Sequence, residues 1–213
     1  IQDYRRGLVI GTQTYGKGTV QAMMPLNRGQ ITLTQQKFYR VSGNSTQNRG
    51  VLPDITLPSL YNISEIGENT LDRALAWDFI PPAHYKPLND FSTLIPQLQQ
   101  LHEQRSSHNP DFNYLIETGK IIEQRRHMKE VSLKESIRKT ERDAMESKQL
   151  ALENQRRTAK VEKTINSIKD LDKDKNDAEN KNKTKDDKTE AMLTETDYIL
   201  VDYLQMNQHK LAK

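Results

Sequence analysis

The residue types and spacing that could do chemistry lie in Gly16-Lys17-Gly18-Thr19-Val20-Gln21, behind an apolar run, Leu8-Val9-Ile10, and a polar turn, Gly11-Thr12-Gln13-Thr14-Tyr15. A lysine between two glycines sits on backbone that can turn sharply without a Cβ clash, so its amine can be aimed at one point beside the chain. If a strand resumes at Thr19, the period of two puts Lys17, Thr19 and Gln21 on one face, and Gln21 could reach the amine and orient it. Lysine acts as a general base only when burial lowers its pKa enough to leave the amine neutral near working pH. The chemistry on offer is that of a positioned base.

Two other readings compete. Gly11 to Lys17 fits the first seven positions of a phosphate-binding loop, Gly-x-x-x-x-Gly-Lys-[Ser/Thr], and follows a strand as that motif demands. The eighth position fails, because Gly18 has no hydroxyl for magnesium, and Thr19 to Pro25 reads as a strand closed by proline instead of the helix a phosphate loop opens. The plainer alternative is a solvated lysine in a glycine-rich turn.

The lysine segment resembles that of the tail-specific (carboxyl-terminal processing) serine peptidases. Phe38-Tyr39-Arg40-Val41-Ser42-Gly43, then Ser45-Thr46-Gln47 and Gly50-Val51-Leu52-Pro53-Asp54-Ile55, are similar to the strand, turn and Gly-x-x-Pro-Asp that follow the lysine in that family. Arg73-Ala74-Leu75-Ala76-Trp77-Asp78 resembles the start of the helical C-terminal domain of its longer, periplasmic members. The resemblance implies a serine nucleophile, Lys17 as its general base and Gln21 as the residue that holds the lysine. In the family the serine precedes the lysine, yet no serine lies between Ile1 and Lys17, and Ser42, Ser45 and Ser64 do not match the motif. The resemblance therefore implies a nucleophile, oxyanion donors and a substrate-binding PDZ domain on chain upstream of Ile1, and a C-terminal fragment that cleaves nothing alone. It further implies protein substrates with apolar C-termini, a lipoprotein adaptor as a candidate partner, no cofactor, and a periplasmic location with association to the inner membrane.

Composition narrows the field. With 213 residues, 34% hydrophobic and 29% charged, the chain is lean for one compact core. A net charge of +3 and a pI near 8.9 are mild, and the cations are interleaved with acids, which argues against nucleic acid as a partner. The chain has no cysteine, so disulfides and Cys-ligated zinc are out, and the five histidines lack metal-ligand spacing. No apolar run is long enough for a transmembrane segment.

The elements that must position the lysine read as strands up to residue 58. Leu8 to Ile10, Thr19 to Met24, Ile31 to Thr34 and Lys37 to Val41 are the candidates, with a hairpin turn at Asn27-Arg28-Gly29-Gln30 and a further turn cluster at Ser42-Gly43-Asn44-Ser45. Pro53 limits Ile55 to Leu57 to an edge strand or an extended segment. Helical periodicity follows. Asn69 or Thr70 caps Leu71, Leu75 and Phe79 with Trp77 as core anchor; Leu94, Leu98 and Leu101 form a second helix, with Pro96 in its first turn. Asn109-Pro110-Asp111 opens a third, striped by Phe112, Leu115, Ile116, Ile122 and Met128. Ser132 to Glu135 is a capping box ahead of a charged segment of about thirty-five residues that reads as one long, largely solvated helix or a broken one.

Asp170 to Glu190, with eight acids against six lysines, reads as disordered. Asp170, Asp172 and Asp174 open like an EF-hand loop, but Lys175 and Lys181 stand where glycine and glutamate are needed. Thr194 to Asp197 caps a last helix with Ile199, Leu200, Tyr203, Leu204 and Met206 on its apolar face.

The expected fold is α+β: a partial mixed β-sheet of a protease domain, then a mainly helical C-terminal domain with a disordered insertion. The boundaries expected are 1–60 for the serine-lysine protease part, 61–169 for the helical domain, 170–190 for the linker and 191–213 for a terminal helix docking on the helical domain. The rival function, a helical protein-interaction module, rests on the long charged helix and the docked terminal one.

Overall fold

The structure is a computed structural model that describes residues 1–170 and 187–211. The expected linker and the EF-hand-like aspartates fall outside the described residues except at the segment's ends.

Ile10–Gly11 (β1) pairs in parallel with Ile55–Thr56 (β4), Ile10 opposite Ile55. Asp54 fixes where this short ladder begins, its carboxylate accepting from Val9 N–H at 2.7 Å and Gln2 Nε2 at 2.9 Å. Ile55 and Leu57 are buried. Thr19–Pro25 (β2) and Gln30–Lys37 (β3) form an antiparallel hairpin, with Thr19 opposite Lys37 and Pro25 opposite Gln30. Leu26 N–H closes its turn on Gly29 O at 3.0 Å, and Gly29 takes φ +86°, a left-handed value that favours glycine. The register shifts between Val20 and Gln21, a bulge that leaves Gln35 without an opposite residue. Parallel and antiparallel pairing are both present, in separate two-stranded sheets, and long helices follow, which makes the fold α+β.

Two expected elements are replaced. Lys37 to Val41 is not a third strand: Lys37 ends β3, and Tyr39 bridges Ser45 across a tight turn in which Gly43 N–H donates to Arg40 O at 2.8 Å. Nor does the spacing of Leu71, Leu75 and Phe79 make a helix. Ile63–Ile66 (α1) is a single turn capped by Asn62, one 3-10 turn spans Glu68–Thr70, and the chain beyond is irregular with those three side chains exposed. The reason is competition for backbone groups. Ala76 O accepts from Lys37 Nζ (2.6 Å), Asp78 O from Ser45 N–H (3.2 Å), and Ile80 N–H donates to Gly43 O (2.9 Å). Trp77, expected as that helix's anchor, is half-buried instead, donating Nε1–H to Ser45 O at 3.0 Å beneath the Arg49 guanidinium.

Leu94–Ser106 (α2) carries Pro96 in its first turn and buries Leu94, Leu98 and His102, a four-residue repeat. Pro110–Arg126 (α3) is capped by Asn109, whose Oδ1 accepts from Asp111 N–H at 2.9 Å, with proline at the first helical position. It buries Phe112, Leu115 and Ile121, while Ile116 and Met128 of the expected stripe are exposed. Glu135–Ala159 (α4) is shorter than expected at both ends. Ser132 Oγ accepts from Lys134 N–H, a local turn in place of the capping box, and Asn154 bonds both N–H and O of Ile165, folding 160–165 back along the helix.

Asp187–Leu211 (α5) starts ahead of the expected cap, and Thr196 Oγ1 bonds Met192 O within it. Among its described side chains Ala191, Glu195 and Ile199 are buried, whereas Leu200 and Leu204 are exposed. Glu195 Oε1 meets His102 Nδ1 at 3.0 Å and Arg105 Nη2 at 2.9 Å, and Arg105 Nη1 meets Asp202 at 2.6 Å, pinning α5 to α2. Two compact units result: Ile1–Leu57 with Tyr61–Gln97, and Pro58–Leu60 with the chain from Leu98 on. Among the described residues no helix is long and apolar enough to cross a membrane.

Candidate active site

Between β1 and β2 the chain crosses residues 12–18 without a ladder of its own, so its backbone polar groups need partners elsewhere. The segment 47–51 and Glu68 supply them. Thr14 N–H donates to Val51 O at 3.2 Å, and Val51 N–H returns a bond to Thr14 Oγ1 at 2.8 Å. Tyr15 O accepts from Glu68 N–H at 2.9 Å, and Gly16 O from Asn48 N–H at 2.8 Å. Gly18 N–H donates to Gln47 Oε1 at 2.7 Å. Backbone groups on both sides of Lys17 are thus held from outside the loop.

This grip depends on missing side chains. A Cβ on Gly18 would stand 2.6 Å from Gln47 N, and Gly50, at φ +61°, would put one 2.3 Å from Thr14 O. Gly16 and Gly18 are buried while Lys17 between them is exposed, so the loop turns the lysine outward.

Lys17 Nζ donates to Oγ1 of the buried Thr19 at 3.3 Å. Gln21, two residues farther along β2, is exposed and donates its amide Nε2 to Thr34 Oγ1 of β3 at 3.3 Å. The structure therefore places Lys17 and Thr19 together and gives Gln21 a partner across the hairpin. The phosphate-loop alternative finds no helix N-terminus here, because β2 begins at Thr19.

Gln47 and Glu68 belong to the same arrangement, and sequence reasoning gave neither a role. Gln47 is 0% exposed, takes its own N–H to Ser45 Oγ at 3.0 Å, and donates Nε2 to Glu68 Oε1 at 3.2 Å. The one available signal was Ser45-Thr46-Gln47 in a polar stretch between Gly43 and Gly50; Glu68 carries none.

Opposite Thr19, at the end of β3, Lys37 and the Tyr39 hydroxyl meet Asp78. The hydrogen bond from Lys37 outweighs desolvation and, with that from Tyr39, holds the Asp78 carboxyl below the usual carboxylate range. Burial, then the bond to Asp78, pushes the Tyr39 hydroxyl up.

Comparison with known proteins gives matches over both halves of the chain. Residues 61–205 match the family model described as the C-terminal domain of tail specific protease, and residues 1–57 match that of peptidase family S41. The tail-specific protease of Haemophilus influenzae is 40% identical over 186 residues, 82% of this chain and 27% of that protein. The carboxy-terminal-processing protease of Bartonella bacilliformis is 42% identical over 78 residues, 33% of this chain and 18% of that protein. The chain thus spans about a quarter of the length of the first relative and less than a fifth of the second.

Proposed function

Because this chain belongs to the tail-specific protease family, we propose that it carries the general base of a serine-lysine endopeptidase, Lys17, with Gln21 as the residue that holds the amine. The observation that supports this reading is the seat of Lys17, a loop gripped through Tyr15, Gly16 and Gly18 that presents one amine outward beside Thr19. A base needs a fixed direction of approach to the proton it takes.

The nucleophilic serine precedes the lysine in the family, and none stands before Lys17 here. The reaction then joins two parts of the protease. Neutral Lys17 accepts the proton of the serine Oγ as the oxygen adds to the substrate carbonyl; the resulting ammonium returns that proton to the departing amine, leaving an acyl-serine that water hydrolyses by the same route. Neutrality requires water to be excluded from the amine, and in this reading the part bearing the serine covers Lys17. Gln21 keeps its Nε2 on Thr34, which leaves Oε1 as the acceptor a lysine amine requires. The 213 residues alone are expected to be inactive.

The resemblance supports the rest of the reading: substrates are proteins with apolar C-termini delivered by a PDZ domain, in the periplasm, with a lipoprotein adaptor as a candidate partner. A second reading, the helical part as an interaction module, is favoured by Leu193, Leu200, Val201 and Leu204, which are exposed on α5. Retention of a partner by residues 64–213 alone would support it.

The test of the main reading is peptide hydrolysis by the full-length protease. Lys17→Ala is expected to abolish it, and activity that survives the change removes Lys17 from the mechanism.

A further inference from the structure

Gln47 is buried completely, although an amide taken out of water must find a partner for each of its polar groups. It finds them in a fixed order. Oε1 accepts from Gly18 N–H at 2.7 Å, Nε2 donates to Glu68 Oε1 at 3.2 Å, and Glu68 N–H donates to Tyr15 O at 2.9 Å. The chain of bonds leaves the loop at Gly18, just after Lys17, and re-enters it at Tyr15, two residues before.

The bond at Gly18 matters most for direction. Its N–H belongs to the peptide plane that follows Lys17, so holding it fixes the ψ of Lys17 and with it where the Cα–Cβ bond points. Glu68 is 5% exposed, and a buried carboxylate is expensive where packing is the only need. An apolar pair of the same size would fill the space without that cost. A polar pair whose amide oxygen is aimed at Gly18 N–H sets an orientation, which an apolar pair does not; the bond to Tyr15 O comes from the Glu68 backbone N–H.

From this geometry we infer that Gln47 and Glu68 are positioning residues for Lys17, Gln47 fixing the peptide after it and Glu68 orienting the Gln47 amide. The inference rests on Lys17 being the base. Neither residue touches the reacting atoms; both act through the lysine.

A reciprocal exchange in the full-length protease tests it. In Gln47→Glu a second carboxyl group faces that of Glu68, so like charge, or the proton the pair must take up to relieve it, replaces the bond donated by the Nε2 amide. The lysine loop shifts, and kcat is expected to fall by about tenfold to a hundredfold, the scale of an ångström misplacement, with KM within about twofold of the parent. In the double variant Gln47→Glu/Glu68→Gln, the new amide at 68 donates to the new carboxylate at 47, which still accepts from Gly18, and kcat is expected to recover to within about threefold.

An unchanged kcat in Gln47→Glu, a loss confined to KM, or a double variant as slow as the single overturns the inference. If Gln47→Glu does not accumulate as folded protein, Glu68→Ala replaces it: Gln47 Nε2 loses its acceptor, and an unchanged kcat overturns the inference equally. Lys17→Ala, assayed alongside, separates the two levels. Activity in Lys17→Ala refutes the base itself, whereas an inactive Lys17→Ala beside a fully active Gln47→Glu refutes only the positioning.

Discussion

Gly18 tolerates no side chain. A methyl group there would sit 2.6 Å from Gln47 N and 2.9 Å from Gln47 Cα, backbone atoms that cannot swing aside as a flexible side chain would. Gly18→Ala is therefore expected to destabilise the first unit by about 1–3 kcal/mol, the usual range for overpacking, and to weaken the Gly18–Gln47 bond. Thermal unfolding of the chain beside the parent checks the first effect, and amide exchange at Gly18 the second. The lysine and its two glycines were legible because their message is local: residue types at fixed spacing after an apolar run. Gln47 and Glu68 were not, since they lie 29 and 50 residues beyond Gly18 and no periodicity links them to it. Gln21 shows the same limit from the other side. Thr34, opposite it on β3, takes its amide Nε2, and a cross-strand neighbour cannot be read from one strand.

The hairpin and the capped helices were readable in the sequence because turn and cap residues act on their own neighbours: Gly29 in the turn, Asn109 and Pro110 at the start of α3. The segment 71–80 was misread because its four-residue spacing is also compatible with an extended chain whose backbone is used elsewhere. The Asp78 carboxyl adds a pH-dependent part to that segment's attachment to residues 37–45, beside the backbone bonds of Ala76, Asp78 and Ile80. The folded carboxyl titrates below its ordinary value, so this contribution is at full strength above the usual carboxylate pKa of about 3.9 and is lost as pH falls through the lower folded value. Trp77, the only tryptophan, reports on it from the next position. Its fluorescence should hold steady through neutral and mildly acidic pH and change in a step below that range, and Asp78→Asn should remove the step. At the far end of the chain, Glu195 is the common partner of His102 and Arg105. Burial works against the charge of Arg105, but the bonds to Glu195 and Asp202 outweigh it and raise its pKa. Glu195→Ala takes the partner from His102 and leaves Arg105 with Asp202 alone, and should cost about 1–3 kcal/mol in denaturant unfolding followed by helical circular dichroism, with α5 losing amide protection first. Glu195→Gln keeps an acceptor and should cost less.

At the scale of the whole molecule, the family boundary and the physical boundary part company. The two family models meet between residues 57 and 61, but the first compact unit continues to Gln97. What holds 61–97 there is a series of bonds to residues 4–47: Glu68 to Tyr15 and Gln47, Ile80 to Gly43, Ala83 to Val41, Leu88 to Tyr4, Asn89 to Arg5. A polypeptide cut at the family boundary, residues 61–213, would carry its first thirty or so residues without those partners. One cut ahead of the Asp90 side chain that caps Ser92 N–H, residues 90–213, would keep α2 to α5 and their buried set of Leu98, Phe112, Leu115 and Ile199. Both lack Pro58–Leu60, so their difference isolates 61–89. The expected outcome is the same unfolding midpoint for the two polypeptides and fast amide exchange throughout 61–89 in the longer one. A higher midpoint for 61–213 would mean that these residues draw stability from the helices.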